Sequence, residues 1–237
     1  MKRVIRFLVV VTLFYFVLDH FLLSNKDVSA TADNIRAGIY ALNEVIAQEN
    51  DDDKPDFIPG KGAAKVTCAK GTQDIGLYNG YIKGVSTQLR LCALTLVYSS
   101  SEESHGGFGV KGAKNQALVS SVVSSNYSRM IRAARADGIK LSATSSFRTY
   151  SHQEQLWNSL GRNRAIVAQP GYSKHQQGAA VDFAFAGVYN TTANCRWTGG
   201  FCTLRGHRTW DWLNANARKY GIYQYSGEFW HFSPTGH

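Results

Sequence analysis

The segment QALVSSVVSSNYSRMIRAARADG, residues 116 to 138, constrains the fold more than any other part of this chain. Leu118, Val119, Val122, Val123, Tyr127, Met130, Ile131 and Ala134 fall on one face of a long helix, and Gly138 supplies a stop. The next residues change period. Ile139, Leu141 and Ala143 alternate with polar neighbours, as in a half-buried strand. A second strand is expected at QLRLCALTLVY (88 to 98), and a third at Val181, Phe183 and Phe185, with Asp182 on its other face. Ser151 and Glu154 have capping-box spacing and predict a helix start. Thr209 to Tyr220 reads as a helix ended by Gly221, and Tyr223, Tyr225 and Phe229 to Phe232 suggest a closing hairpin. Helices and strands mix without regular βαβ alternation. The expected class is therefore α+β, a small, largely antiparallel sheet flanked by helices.

The N-terminus addresses location. Lys2, Arg3 and Arg6 precede the apolar run Phe7 to Leu18, which Phe21 to Leu23 extend. A positive flank before an apolar run is an export signal, so residues 1 to 30 are expected to be a signal peptide or a membrane anchor. A short amphipathic helix follows, with Ile35, Ile39, Leu42 and Ile46 at helical spacing, and then the acidic, Pro- and Gly-containing linker ENDDDKPDFIPGKG. Residues 31 to 62 form a stalk in this reading, 63 to 113 an N-terminal extension, and 114 to 237 the core. The net charge of +9 favours anionic surroundings. Export and the lack of a clustered Lys/Arg face argue against nucleic acid. In an oxidising compartment Cys68, Cys92, Cys195 and Cys202 are expected in disulfides; three pairings are possible, and nearness favours Cys68–Cys92 and Cys195–Cys202.

Chemistry concentrates in two stretches, GYSKHQQGAAVDF (171 to 183) and GEFWHF (227 to 232). His175 stands seven positions before Asp182, and Glu228 three before His231. Two imidazoles and a carboxylate suit a catalytic zinc, which commonly has three protein ligands and one open position. Glu228 would remain free to accept a proton from water whose pKa zinc lowers from 15.7 to about 7. On spacing alone that set is weak.

The surrounding residues sharpen it. SKHQQGAAVD fits S-x-H-x-x-G-x-A-x-D through Ser173, His175, Gly178, Ala180 and Asp182, and EFWH fits E-x-W-H through Glu228, Trp230 and His231. Upstream, SSFRTYSHQ resembles S-x-Y-R-S-Y-x-x-Q, with Arg148, Tyr150 and Gln153 in register. Over residues 114 to 237 the chain resembles the zinc D-alanyl-D-alanine carboxypeptidases of the vancomycin-resistance type, within the LAS-type (hedgehog-like) metallopeptidases. That resemblance implies a Zn2+ ion held by His175, Asp182 and His231. It implies Glu228 as general base and then acid, Arg148 opposing negative charge on the scissile carbonyl or a substrate carboxylate, and Ser173 and Gln153 binding the peptide. Phe147, Thr149 and Phe229 depart from the common pattern without removing a reacting group. The implied substrate is the peptidoglycan stem peptide, met outside the cytoplasm by a monomer. An endopeptidase of the same fold and a non-catalytic, zinc-containing wall-binding protein are the competing readings.

Overall fold

The computed structural model of the chain describes residues 64–96, 98–99, 116–164 and 166–236. The export segment, the helix at 33 to 48 and the linker expected from sequence lie outside them. Among the described residues no helix is long and apolar enough to cross a membrane.

Among the described residues, ten strands and three α-helices make an α+β fold in which antiparallel pairing dominates. Strands β1 (Gln73–Ile82) and β2 (Val85–Thr95) form a hairpin, and β4 (Gln116–Ser120) pairs with β2 to complete a three-stranded sheet. The N-terminal extension is thus continuous with the core. A second, five-stranded sheet has the order β3 (Tyr98–Ser99), β5 (Ser142–Ser145), β6 (Val181–Ala184), β10 (His231–Ser233) and β9 (Tyr223–Gln224). All its pairings are antiparallel except β3 with β5. Strands β7 (Arg196–Thr198) and β8 (Phe201–Thr203) form a separate two-stranded ribbon.

The long helix begins later than its apolar pattern suggests: α1 spans Ser121–Ala136, and residues 116 to 120 are strand. The reason lies in where consecutive side chains go. Leu118 packs in a small cluster with Leu89, Leu91 and Phe147, whereas Val119 joins the main core with Val123, Tyr127 and Met130. Sending neighbours to opposite sides is what a strand does and a helix cannot. The helix ends as expected, with Gly138 left-handed at φ 69° and Ile139 N–H donating back to Ala134 O at 2.8 Å.

Helix α2 (Tyr150–Ser159) also starts differently. Its cap is Thr149, whose hydroxyl accepts from His152 N–H at 3.3 Å, so Ser151 lies within the first turn. Helix α3 (Arg208–Asn216) continues as a 3-10 turn, Ala217–Tyr220, and Gly221 closes it at φ 68°. Both disulfides follow the near pairing. Cys68–Cys92 joins the chain before β1 to β2, and Cys195–Cys202 closes the β7–β8 ribbon, with Cα separations of 5.5 and 4.9 Å.

Candidate active site

The central strands of the five-stranded sheet bring the two motifs together. In β6, Val181 and Phe183 face the main core, so Asp182 projects from the other side. Strand β10 pairs His231 directly opposite Asp182, and His231 Nδ1 lies 2.8 Å from Asp182 Oδ1. A position 49 residues away in sequence becomes a cross-strand neighbour through register alone.

His175 arrives from the loop before β6. Ser173 Oγ accepts from His175 N–H at 3.2 Å, and Gly178 N–H donates to His175 O at 3.1 Å, which winds the loop tightly. Gly178 is left-handed at φ 62°, and a Cβ there would sit 2.8 Å from the Ser120 backbone nitrogen. Glycine is required on both counts. The ring is then oriented by its Nδ1, 2.7 Å from the Ser146 carbonyl. A carbonyl only accepts, so Nδ1 carries the proton, and the lone pair of Nε2, which lies 3.3 Å from Asp182 Oδ2, is left for a metal ion that both atoms could share. Ser146 therefore belongs to the site. Its contribution is a main-chain carbonyl, which leaves no residue-type signature in sequence.

The ligating atoms of His175, Asp182 and His231 all lie within 4.8 Å of one another, and all three residues are buried. Ligands held at about 2.0–2.2 Å in a tetrahedral zinc site are roughly 3.3 Å apart, so the set needs only small adjustments to hold the ion. Burial alone would raise the Asp182 carboxyl, but His175 and then His231 outweigh it and hold it well below the usual carboxylate range. Burial pushes His175 down, favouring its neutral, metal-binding form. Both residues are thus in the protonation states that ligation needs.

Glu228 sits on the turn between β9 and β10, with Oε2 3.8 Å from His231 Nδ1. Burial, aided by the charge of Asp182, pushes its carboxyl up to about 7, although His231 and Arg148 pull the other way. Arg148 follows β5. Its two terminal nitrogens donate to Gln153 Oε1 at 2.7 Å and Ser145 Oγ at 3.0 Å, while its buried Nε has no partner among the described residues. Burial works against the Arg148 charge, and Asp182 and Glu228 support it.

Gln153 is fully buried, and both ends of its amide are engaged: Oε1 by Arg148 and Nε2 by the Ala168 carbonyl at 2.6 Å. It stands behind Arg148. Ser173 is 4% exposed beside His175. Tyr127 carries no motif signature, because a helical aromatic reads as core. Its hydroxyl lies 2.7 Å from Phe232 O and 3.0 Å from Ala179 O, tying α1 to both ligand-bearing segments.

Two imidazoles and a carboxylate, with a second carboxylate and a guanidinium alongside, define the metal centre of a candidate hydrolase. The chain belongs to the VanY family, described as D-alanyl-D-alanine carboxypeptidase, whose model matches residues 116–236. It is 28% identical over 131 residues to the Bacillus subtilis (strain 168) protein named "Putative carboxypeptidase YodJ", covering 45% of this chain and 42% of that one. This chain therefore spans less than half the length of that relative. Among solved structures it is similar to the vancomycin-resistance D,D-pentapeptidase VanY of the VanB-type cassette, a mutant in complex with Zn(II). The identity is 25% and the TM-score 0.37, with 53% of this chain and 78% of that one covered. It is also similar to the LdcB LD-carboxypeptidase, with 26% identity, a TM-score of 0.38, and 60% and 71% coverage.

Proposed function

We propose that the protein is a zinc-dependent carboxypeptidase that removes the terminal D-alanine from peptidoglycan stem peptides outside the cytoplasm. The observation that carries this reading is the convergence of His175, Asp182 and His231 in one buried set with Glu228 beside it. Family membership supports the peptidase class and the D-alanyl-D-alanine end.

His175 Nε2, Asp182 and His231 Nδ1 would hold the ion. Zinc bound there supplies a Lewis acid and acidifies water, making a nucleophile available near neutral pH. Glu228 accepts the proton of the attacking water and returns it to the leaving amine. Its raised carboxyl suits that exchange, because a base works best with a pKa near the working pH. Arg148 offers donors to the charge that grows on the scissile carbonyl oxygen, or to the free carboxylate of the last residue. Gln153 keeps Arg148 in position. Ser173 can donate its hydroxyl proton to a peptide carbonyl while accepting from His175 N–H.

The test uses two stem peptides that differ only at the end, one with a free D-alanine carboxylate and one amidated. A carboxypeptidase should cleave the first and be much slower on the second, with free D-alanine identified by mass. Equal rates would reject the carboxypeptidase reading in favour of an endopeptidase.

A further inference from the structure

Helix α2 presents two neighbouring faces. Gln153 turns inward to Arg148, while Tyr150, Glu154, Trp157 and Asn158 recur at i, i+4, i+7 and i+8 along the adjacent face. With Arg162 and Gln169 they line an open cavity of about 220 Å³. Sites that enclose a whole small ligand measure about 300–1,000 Å³, so this one suits a single side chain.

The cavity is held in shape. Gly161 and Arg162 are consecutive left-handed residues, at φ 67° and 58°. A residue with a Cβ rarely adopts that conformation, and here it folds Arg162 back over the helix. Arg162 N–H donates to Trp157 O at 2.8 Å, and its Nε donates to Asn158 Oδ1 at 3.1 Å, so backbone and guanidinium are both fixed. Glu154 lies on the same wall, and among the described residues it forms no ion pair with Arg162. The two charges remain available to a ligand, with the rings of Tyr150 and Trp157 in the same lining.

Tyr150 links the cavity to the segment that carries the candidate site. Tyr150 is two residues beyond Arg148, and its ring lies 4.7 Å from that of Tyr81. Tyr81 N–H in turn donates to Gln176 O at 3.0 Å, one residue past His175. A peptide with its end at Arg148 would pass Tyr150 before reaching Glu154 and Arg162.

We propose that this cavity is a specificity subsite for a stem-peptide residue upstream of the scissile bond, one whose side chain ends in both an ammonium and a carboxylate. The inference rests on the peptidase reading above. Glu154 takes the ammonium, Arg162 the carboxylate, and the aromatic rings cover the aliphatic stem. A neutral sugar would leave both charges unmatched, and a lysine would leave Arg162 unused.

The test uses three peptides with the same free D-alanine end that differ only in the third residue: meso-diaminopimelate, lysine or alanine. Affinity is measured by calorimetry on the full chain carrying Glu228→Gln, so that turnover does not intrude, and KM is measured on the unaltered chain. Affinity should fall about fivefold for each charge removed, the upper range for an exposed ion pair. Adding Arg162→Gln should erase the preference for diaminopimelate over lysine, and adding Glu154→Gln the preference for lysine over alanine. Equal affinities, no detectable binding of any peptide, or preferences that survive both substitutions would overturn the subsite. Preferential binding without cleavage by the unaltered chain would instead reject the peptidase reading and leave the subsite standing.

Discussion

Gly178 offers a sharp test of how the metal loop is built. Replacing it with alanine adds one methyl group at φ 62°, where an L-residue costs about 1–2 kcal/mol. The new Cβ would also stand 2.8 Å from the Ser120 nitrogen, which is backbone and already donates to Gly178 O at 2.8 Å. Relief requires moving β4 or the loop, and forced overpacking of this kind costs about a further 1–3 kcal/mol. Gly187 supplies the control, being left-handed at φ 75° with nothing within 4 Å of its would-be Cβ. Gly187→Ala should therefore cost only about 1–2 kcal/mol. In a chain of this size each kcal/mol lowers Tm by about 2–4 °C, so Gly178→Ala should melt about 2–12 °C below the control. The assay is thermal unfolding of the full chain by calorimetry in chelator, with zinc affinity measured by competition. Zinc binding should weaken only in Gly178→Ala, because that loop carries His175. Equal melting losses with unaltered zinc affinity would refute the close approach of loop and strand.

Two further substitutions probe the site from opposite sides. Glu228→Gln should lower turnover about 10²–10⁴-fold, and near-normal rates would assign proton transfer to another group. The same change should also alter stability in zinc-free protein. A carboxyl raised from 4.5 to about 7 contributes stability below pH 4.5 that is lost as pH rises through about 7. Relative to the parent, Glu228→Gln should therefore gain up to about 3 kcal/mol between pH 4 and pH 9, and a pH-independent difference in unfolding would contradict the burial of this group. Tyr127→Phe removes the proton that serves the Phe232 and Ala179 carbonyls, at a cost of about 1–3 kcal/mol. Urea unfolding should show a lower midpoint at unchanged slope, and an unmoved midpoint would mean that the tie contributes nothing.

The site was legible in sequence to the extent that it resides in side-chain identity. His175, Asp182, Glu228 and His231 stand in motifs whose spacing reflects one loop and one turn, and the structure brings them together. The strand at Val181 was legible because alternation with a buried partner face is a local signal. The start of α1 was not. QALVS carries apolar residues at positions compatible with either period, and only the presence of two separate clusters, one on each side of β4, makes it a strand. The cap of α2 is ambiguous in sequence, because Thr149 and Ser151 are both competent N-caps, and it is the Thr149 hydroxyl that accepts from His152 N–H.

What sequence could not show is how the first sheet supports the metal loop, because main-chain hydrogen bonds carry it. Tyr81 N–H donates to Gln176 O, Gly84 N–H to Gly171 O, Ser120 N–H to Gly178 O and Arg148 N–H to His175 O. Leu118 N–H donates to Ser146 Oγ, and the Ser146 carbonyl accepts from His175. The loop from Gly171 to Gly178 is thus laced on one side to the β1–β2 hairpin, which precedes the family match, and on another to β4 and the segment after β5. Gly80 and Gly171 permit the hairpin's approach. A Cβ at Gly80 would sit 2.7 Å from Gln176 O, and the Cβ that Gly171 lacks would meet the Gly84 Cα at 3.0 Å. A ligand loop held at so many backbone points can present His175 with little reorganisation when the ion binds, which is the condition for a preorganised site. The hairpin is therefore part of the active site's foundation, although none of its side chains is a candidate ligand.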